Sequence, residues 1–163
     1  MTGNRADDHV ALEAERREVR EAIAAIRDAM HRINEARERL RTAADLGHAD
    51  FWGGGLFASW MKRDATERAA GVMRAVDLAL AEVRDELRDL GIEDTDALVA
   101  GPAPRVSTLD VWFDNLVSDA LSGRRVRKAS ERLDVLGRVL VQVQSTLNRR
   151  ERALSERLES AAS

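Results

Sequence analysis

Lys62, Asp114, Asn115 and Asp119 are the residues whose types and company could do chemistry. An ammonium group beside two carboxylates and an amide can move a proton or hold a small polar ligand. They fall in or beside the two segments that carry every aromatic side chain of the chain: Phe51, Trp52, Phe57 and Trp60 in one, Trp112 and Phe113 in the other. Aromatic rings bury the largest areas and anchor cores or contact surfaces. The first segment also holds Gly53, Gly54 and Gly55 in succession. Such a run permits positive φ and a close backbone approach. A glycine-rich turn that opens a helix can also take an anion on its free N–H groups, here with Lys62 supplying charge. No strand pattern precedes the glycines and no Gly-Lys-Ser/Thr follows them, which excludes a nucleotide P-loop.

Two readings of this head follow. In one, Gly53, Gly54, Gly55, Trp60, Lys62, Trp112, Phe113, Asp114, Asn115 and Asp119 line a ligand or catalytic site. In the other they form a structural lock, in which the polar groups satisfy backbone N–H groups around a tight turn packed on the rings. We adopt the lock as the expectation. His48, Asp50, Asp114 and Asp119 are of metal-ligand type, but scattered carboxylates arise in any acidic chain, so no metal and no cofactor is expected. The chain has no cysteine, its serines lack a nucleophile-elbow context, and its histidines have no visible partner, so nucleophilic catalysis has no foothold. His9 and His31 sit in polar helical surroundings and read as solvated.

The elements that must position this head are long helices. Charged residues make up 34% of 163 residues, prolines are confined to Pro102 and Pro104, and Ala, Leu, Glu and Arg dominate, the profile of coiled coils. Apolar residues recur every seven positions at Leu12, Val19, Ile26, Ile33 and Leu40, with Ile23, Met30 and Ala44 between them, which predicts a helix over 6–46. A second run, Ala69, Met73, Val76, Leu80, Val83, Leu87 and Leu90, ends at Gly91, a natural left-handed stop with Ile92 placed to close it. Asp64 with Glu67 three residues on has the capping-box spacing and offers this helix a start, within a helical stretch set at about 56–90. A third run reads Val126, Ala129, Leu133, Leu136, Leu140, Val143, Leu147 and Leu154, in a helix over 124–160.

Between them, Gly101, Pro102, Ala103 and Pro104 interrupt any helix. Ser107 with Asp110 then opens a short one over 107–121, carrying Leu109, Trp112, Phe113 and Leu116 on one face. The seams of the first and last helices are of equal length, which predicts antiparallel pairing along their whole extent, with residues 47–121 as a head at one end. That register sets Arg16 and Arg150 in the same layer, where their stems can lie over apolar neighbours. The competing architecture is an up-down-up three-helix bundle.

Charge is segregated under a net charge of -3: residues 1–46 hold nine basic and ten acidic groups, 64–96 four and ten, and 124–159 ten and five. Opposite charge on successive helices favours their lying side by side. The basic run Arg124, Arg125, Arg127 and Lys128 has no interleaved aromatics, so a helix-pairing face is expected and no nucleic acid. No stretch approaches the roughly 18 apolar residues of a membrane span, and no signal-peptide pattern opens the chain. The expectation is a cytoplasmic protein.

The Gly53–Leu56 turn, Lys62, Glu67, Ala69, and then Phe113, Asp114, Asn115 and Asp119 together resemble a pattern in a family of uncharacterised bacterial helical proteins. Its members carry a triple-glycine turn, a Lys, an acidic residue two before an Ala, and later a Phe-Asp-Asn stretch with an Asp four residues on. Lys62-Arg63 and Thr66-Glu67 depart from the Lys-His and Ile-Asp of that pattern. The resemblance covers about a quarter of the chain and implies a helical coiled-coil protein with no known activity. The sequence therefore reads as one all-α domain over 1–163, a long antiparallel helical hairpin or coiled-coil stalk with a small aromatic head. The expected role is a non-enzymatic interaction or scaffold protein that binds a protein partner or itself. The alternative is a small-ligand binder or enzyme using the head.

Overall fold

A computed structural model of the chain describes the backbone of residues 3–49, 55–92 and 123–162, and side chains within 7–42, 68, 71–92 and 129–161. Three helices account for it: α1 (Gly3–Ala49), α2 (Gly55–Asp89) and α3 (Gly123–Ala162). At about 1.5 Å per residue, α1 is a rod of about 70 Å. The structure is all-α, and α1 packs against both α2 and α3.

The directions of the helices follow from their contacts. Arg150 reaches Glu15, Arg20 reaches Glu151, and Arg37 reaches Asp134, so α3 runs down as α1 runs up. The carboxylates of Glu18, Glu86 and Asp89 meet at one point. Glu86 lies as far along α2 from Gly55 as Glu18 lies from Ala49, the geometry of an antiparallel hairpin. Both α2 and α3 therefore run opposite to α1 and parallel to each other. The expected antiparallel pairing of the first and last helices is present, whereas the up-down-up order of the rival reading is not. Arg150, which that register sets in one layer with Arg16, donates to Glu15 Oε1 from Nε at 2.9 Å and from Nη2 at 2.6 Å.

One core joins the three helices. From α1 it takes Val19, Ile26, Ile33 and Leu40 at sevenfold spacing; from α2 Met73, Val76, Leu80, Val83 and Leu87; from α3 Leu133, Leu136, Leu140, Val143, Leu147 and Leu154. The positions between the large side chains of α1 are Ala22, Ala29 and Ala36, each no more than 1% exposed. Alanine there lets neighbouring helices come close, and its lack of side-chain entropy favours the helix itself. Ile23 at 5% also contributes, and Met30 packs from the edge.

The second helix differs from its expected form in two ways. It starts at Gly55, so Asp64 lies inside it and caps nothing. It also lies along α1 within the shared core, so its seam is part of the stalk itself. Its end is as expected: Gly91 has φ 70, Gly91 N–H donates to the Arg88 carbonyl at 2.8 Å, and Ile92 N–H donates to the Leu87 carbonyl at 2.9 Å. This is the paired hydrogen bonding of a Schellman stop, with Ile92 packed back on the core. α2 thus stops opposite Glu18, while α1 and α3 continue past it, with Leu154 and Leu158 still buried.

Candidate functional site

Of the sequence-derived site, Gly55 is the first residue of α2, and Trp60 and Lys62 lie in its first turns with side chains outside the described residues. Gly53, Gly54, Trp112, Phe113, Asp114, Asn115 and Asp119 lie outside the described residues, as do Asp50 and the predicted helix over 107–121. His48 is within α1, its side chain likewise undescribed. His31 is exposed as expected, while His9 is half-buried and approaches Glu13 at 3.8 Å.

What the described residues do build is a set of polar contacts along the helix seams. The most developed is centred on Arg37. Its Nη2 meets Asp134 Oδ1 at 2.5 Å and donates to the Leu133 carbonyl at 3.2 Å, while Nη1 donates to Asn34 Oδ1 at 3.1 Å. The planar guanidinium thus ties a carboxylate and a backbone carbonyl of α3 to an amide of its own helix. Gly137 makes room for it: a Cβ there would stand 3.3 Å from Arg37 Nη2. Beside this lock runs an open groove of about 420 Å³ between α1 and α3, with Met30, Ile33 and Val141 as its apolar lining and Arg138 and Gln142 on the rim. A glycine inside a helix costs up to about 1 kcal/mol relative to alanine. Gly137, inside α3 beside the seam, is the one sequence feature that could have hinted at this close approach, and it does not name the arginine.

The opposite corner, where α2 ends on α1, is acidic. Burial raises the Glu86 carboxyl above its ordinary value, and the charges of Glu21, Asp89, Glu18 and Glu82 push it the same way. Carboxylate oxygens of Glu18, Glu86 and Asp89 lie within 4.8 Å of one another, a spacing that fits a divalent cation on geometry alone. Earlier in α2, burial raises the Asp77 carboxyl to about 6, and its Oδ1 is buried with no hydrogen-bond partner among the described residues. Asp77 follows the core residue Val76, so its carboxylate lies at the edge of the apolar seam.

The sign of the Asp77 effect is fixed by that direction. Below about pH 3 the group is largely neutral in both folded and unfolded chains. As pH rises toward 6 the unfolded chain ionises while the folded one resists, so stability falls across this interval and levels off above it. Asp77→Asn should flatten this fall and leave the protein more stable at pH 7, by about 1 kcal/mol once solvent screening of a half-exposed group is allowed for. Urea denaturation at pH 4.5 and 7.5 checks it: a variant no more stable than the parent at pH 7.5 would contradict the assignment.

No family model, curated protein or solved structure matches the chain. The resemblance carried by the glycine turn and the Phe-Asp-Asn stretch therefore has no family match beside it. Among the described residues, no helix is long and apolar enough to cross a membrane.

Proposed function

We propose that the chain is a non-enzymatic helical interaction module, a rigid rod that presents its outer helix faces to a protein partner or to another copy of itself. The observation that supports this reading most is the division of labour along each helix. The aliphatic seams are used up inside the rod, where α1 is sandwiched by α2 and α3. Cross-helix pairs such as Arg20–Glu151 at 2.8 Å and Arg150–Glu15 fix the helices in register, and a fixed register holds the outer charges in a set pattern over about 60 Å of α3. Rigid, preorganised faces lose little entropy on binding. Leu78 on α2 and Val141 on α3, 74% and 50% exposed, add apolar points to those faces.

A photo-reactive residue placed in turn at Leu78, Val141 and Arg152, and irradiated in an extract of the native host, tests the proposal. Protein adducts, to another protein or to the chain itself, are the expected outcome at one position or more. Recovery of unmodified monomer from all three would refute it and return attention to the head as a ligand or catalytic site.

A further inference from the structure

The outward stripe of α3 is ordered by charge in a way that its core does not require. Taken in helical steps of three and four, it runs Glu131, Asp134, Arg138, Val141 and then Gln142, Ser145, Arg149, Arg152. At 100° per residue the centre of this stripe is roughly half a turn away from Leu133, Leu140 and Leu147 in the core, while Asp134 and Val141, each next to a core leucine, lie on its edge toward α1. From Glu131 onward its members are exposed, apart from Asp134, whose side chain is 50% exposed beside Arg37.

Turned end for end about the midpoint of Val141 and Gln142, the stripe matches itself. Glu131 then falls opposite Arg152 of a second copy and Asp134 opposite its Arg149, and the two-fold axis repeats each pair. Arg138 falls opposite Ser145, so no like charges meet. A parallel, in-register pairing would instead set every charge against its own kind. The present partners of two of these cations are uncharged: Arg149 donates to Ser145 Oγ at 3.3 Å and Thr146 Oγ1 at 3.0 Å, and Arg152 Nε to the Asn148 carbonyl at 3.3 Å. At the axis lies the half-exposed Val141, beside the groove formed with Met30 and Ile33. The outward stripe of α2 offers Leu78 but a single comparable pair, Arg74 with Asp85.

We propose that the outward face of α3 binds a second copy of this chain, α3 against α3, antiparallel about a two-fold axis between Val141 and Gln142. This rests on the reading of the chain as an interaction module and names its partner and surface. Charge pairs set the register, and Val141 enters the partner's groove at the centre. Because the pairs are exposed, salt weakens the dimer: screening acts within about 10 Å at 0.1 M salt.

The test uses the full chain and two exposed single substitutions, Arg152→Glu and Glu131→Arg. Each sets like charges face to face twice in a homodimer, yet the two variants are complementary to each other. Both residue types favour helix, and circular dichroism confirms that each variant is folded. Sedimentation equilibrium should show the parent as a dimer at low salt and a monomer at high salt. Each variant alone should dimerise at least about tenfold more weakly, and an equal mixture of the two should recover the dimer. Variants that dimerise as the parent does, or a mixture that fails to recover, would overturn the proposed face. A parent that stays monomeric at about 100 μM and low salt would overturn the dimer itself. That last result leaves the interaction-module reading standing wherever photo-crosslinking at Leu78 still captures a different protein.

Discussion

Ile26→Asp should unfold this protein or bring it close to unfolding. Ile26 is fully buried at the middle of α1, in the stretch flanked by α2 and α3 together. A carboxylate there has no partner among Val19, Ile33 and the leucines of α3, and a buried unpaired charge costs several kcal/mol. The whole folding free energy of a domain is about 5–15 kcal/mol. Arg27→Asp, one position round the helix and exposed, should change stability by no more than about 0.5 kcal/mol. Urea denaturation followed by circular dichroism measures both. Similar shifts for the two substitutions would mean that the buried face of α1 is misassigned.

Leu80→Ala should destabilise the chain by about 2–5 kcal/mol and do so in a single transition. Leu80 is 2% exposed and belongs to the same core cluster as Ile26 and Leu140. Removing its isobutyl group loses transfer free energy and leaves a cavity that the helices close only in part. If α2 belonged to an independent head, the loss would appear in one part of the molecule. A shared core requires that α1 and α3 melt with it. Calorimetry decides: one transition moved to lower temperature supports the shared core, while two resolved transitions with only one moved would contradict it.

Much of this architecture was legible in the residues because heptads report which face is buried. The sevenfold set Leu12 to Leu40 gives the phase of α1, and the run from Ala129 to Leu154 gives that of α3. Gly91 with Ile92 was legible as a stop because only a left-handed residue closes a helix in that way. Ala22, Ala29 and Ala36 were not legible. Alanine favours helix wherever it stands, and Ala11 and Ala24 are exposed on the same helix as these buried ones. Nor could periodicity tell that α2 lies along α1, since an amphipathic seam says which face is covered and not by which neighbour. Asp64 misled because a capping-box spacing also occurs inside a continuous helix. The Arg37–Asp134 lock escaped because surface charges at seam edges are common and only the three-dimensional register selects the pair that meets. Of the candidate site, the three consecutive glycines and the two aromatic segments stand out in the sequence as departures from the repeat, and most of their residues lie outside those described.

Small-angle X-ray scattering of the monomer, in salt high enough to suppress association, tests the rod most directly. A compact globule of this length would have a radius of gyration of roughly 15 Å. A rod as long as α1, about 70 Å, requires about 20 Å or more. A value of about 20 Å or above, with a pair-distance distribution tailing to about 70 Å, is the predicted result. A value near 15 Å with a symmetric distribution would contradict the extended three-helix rod on which the interaction reading rests.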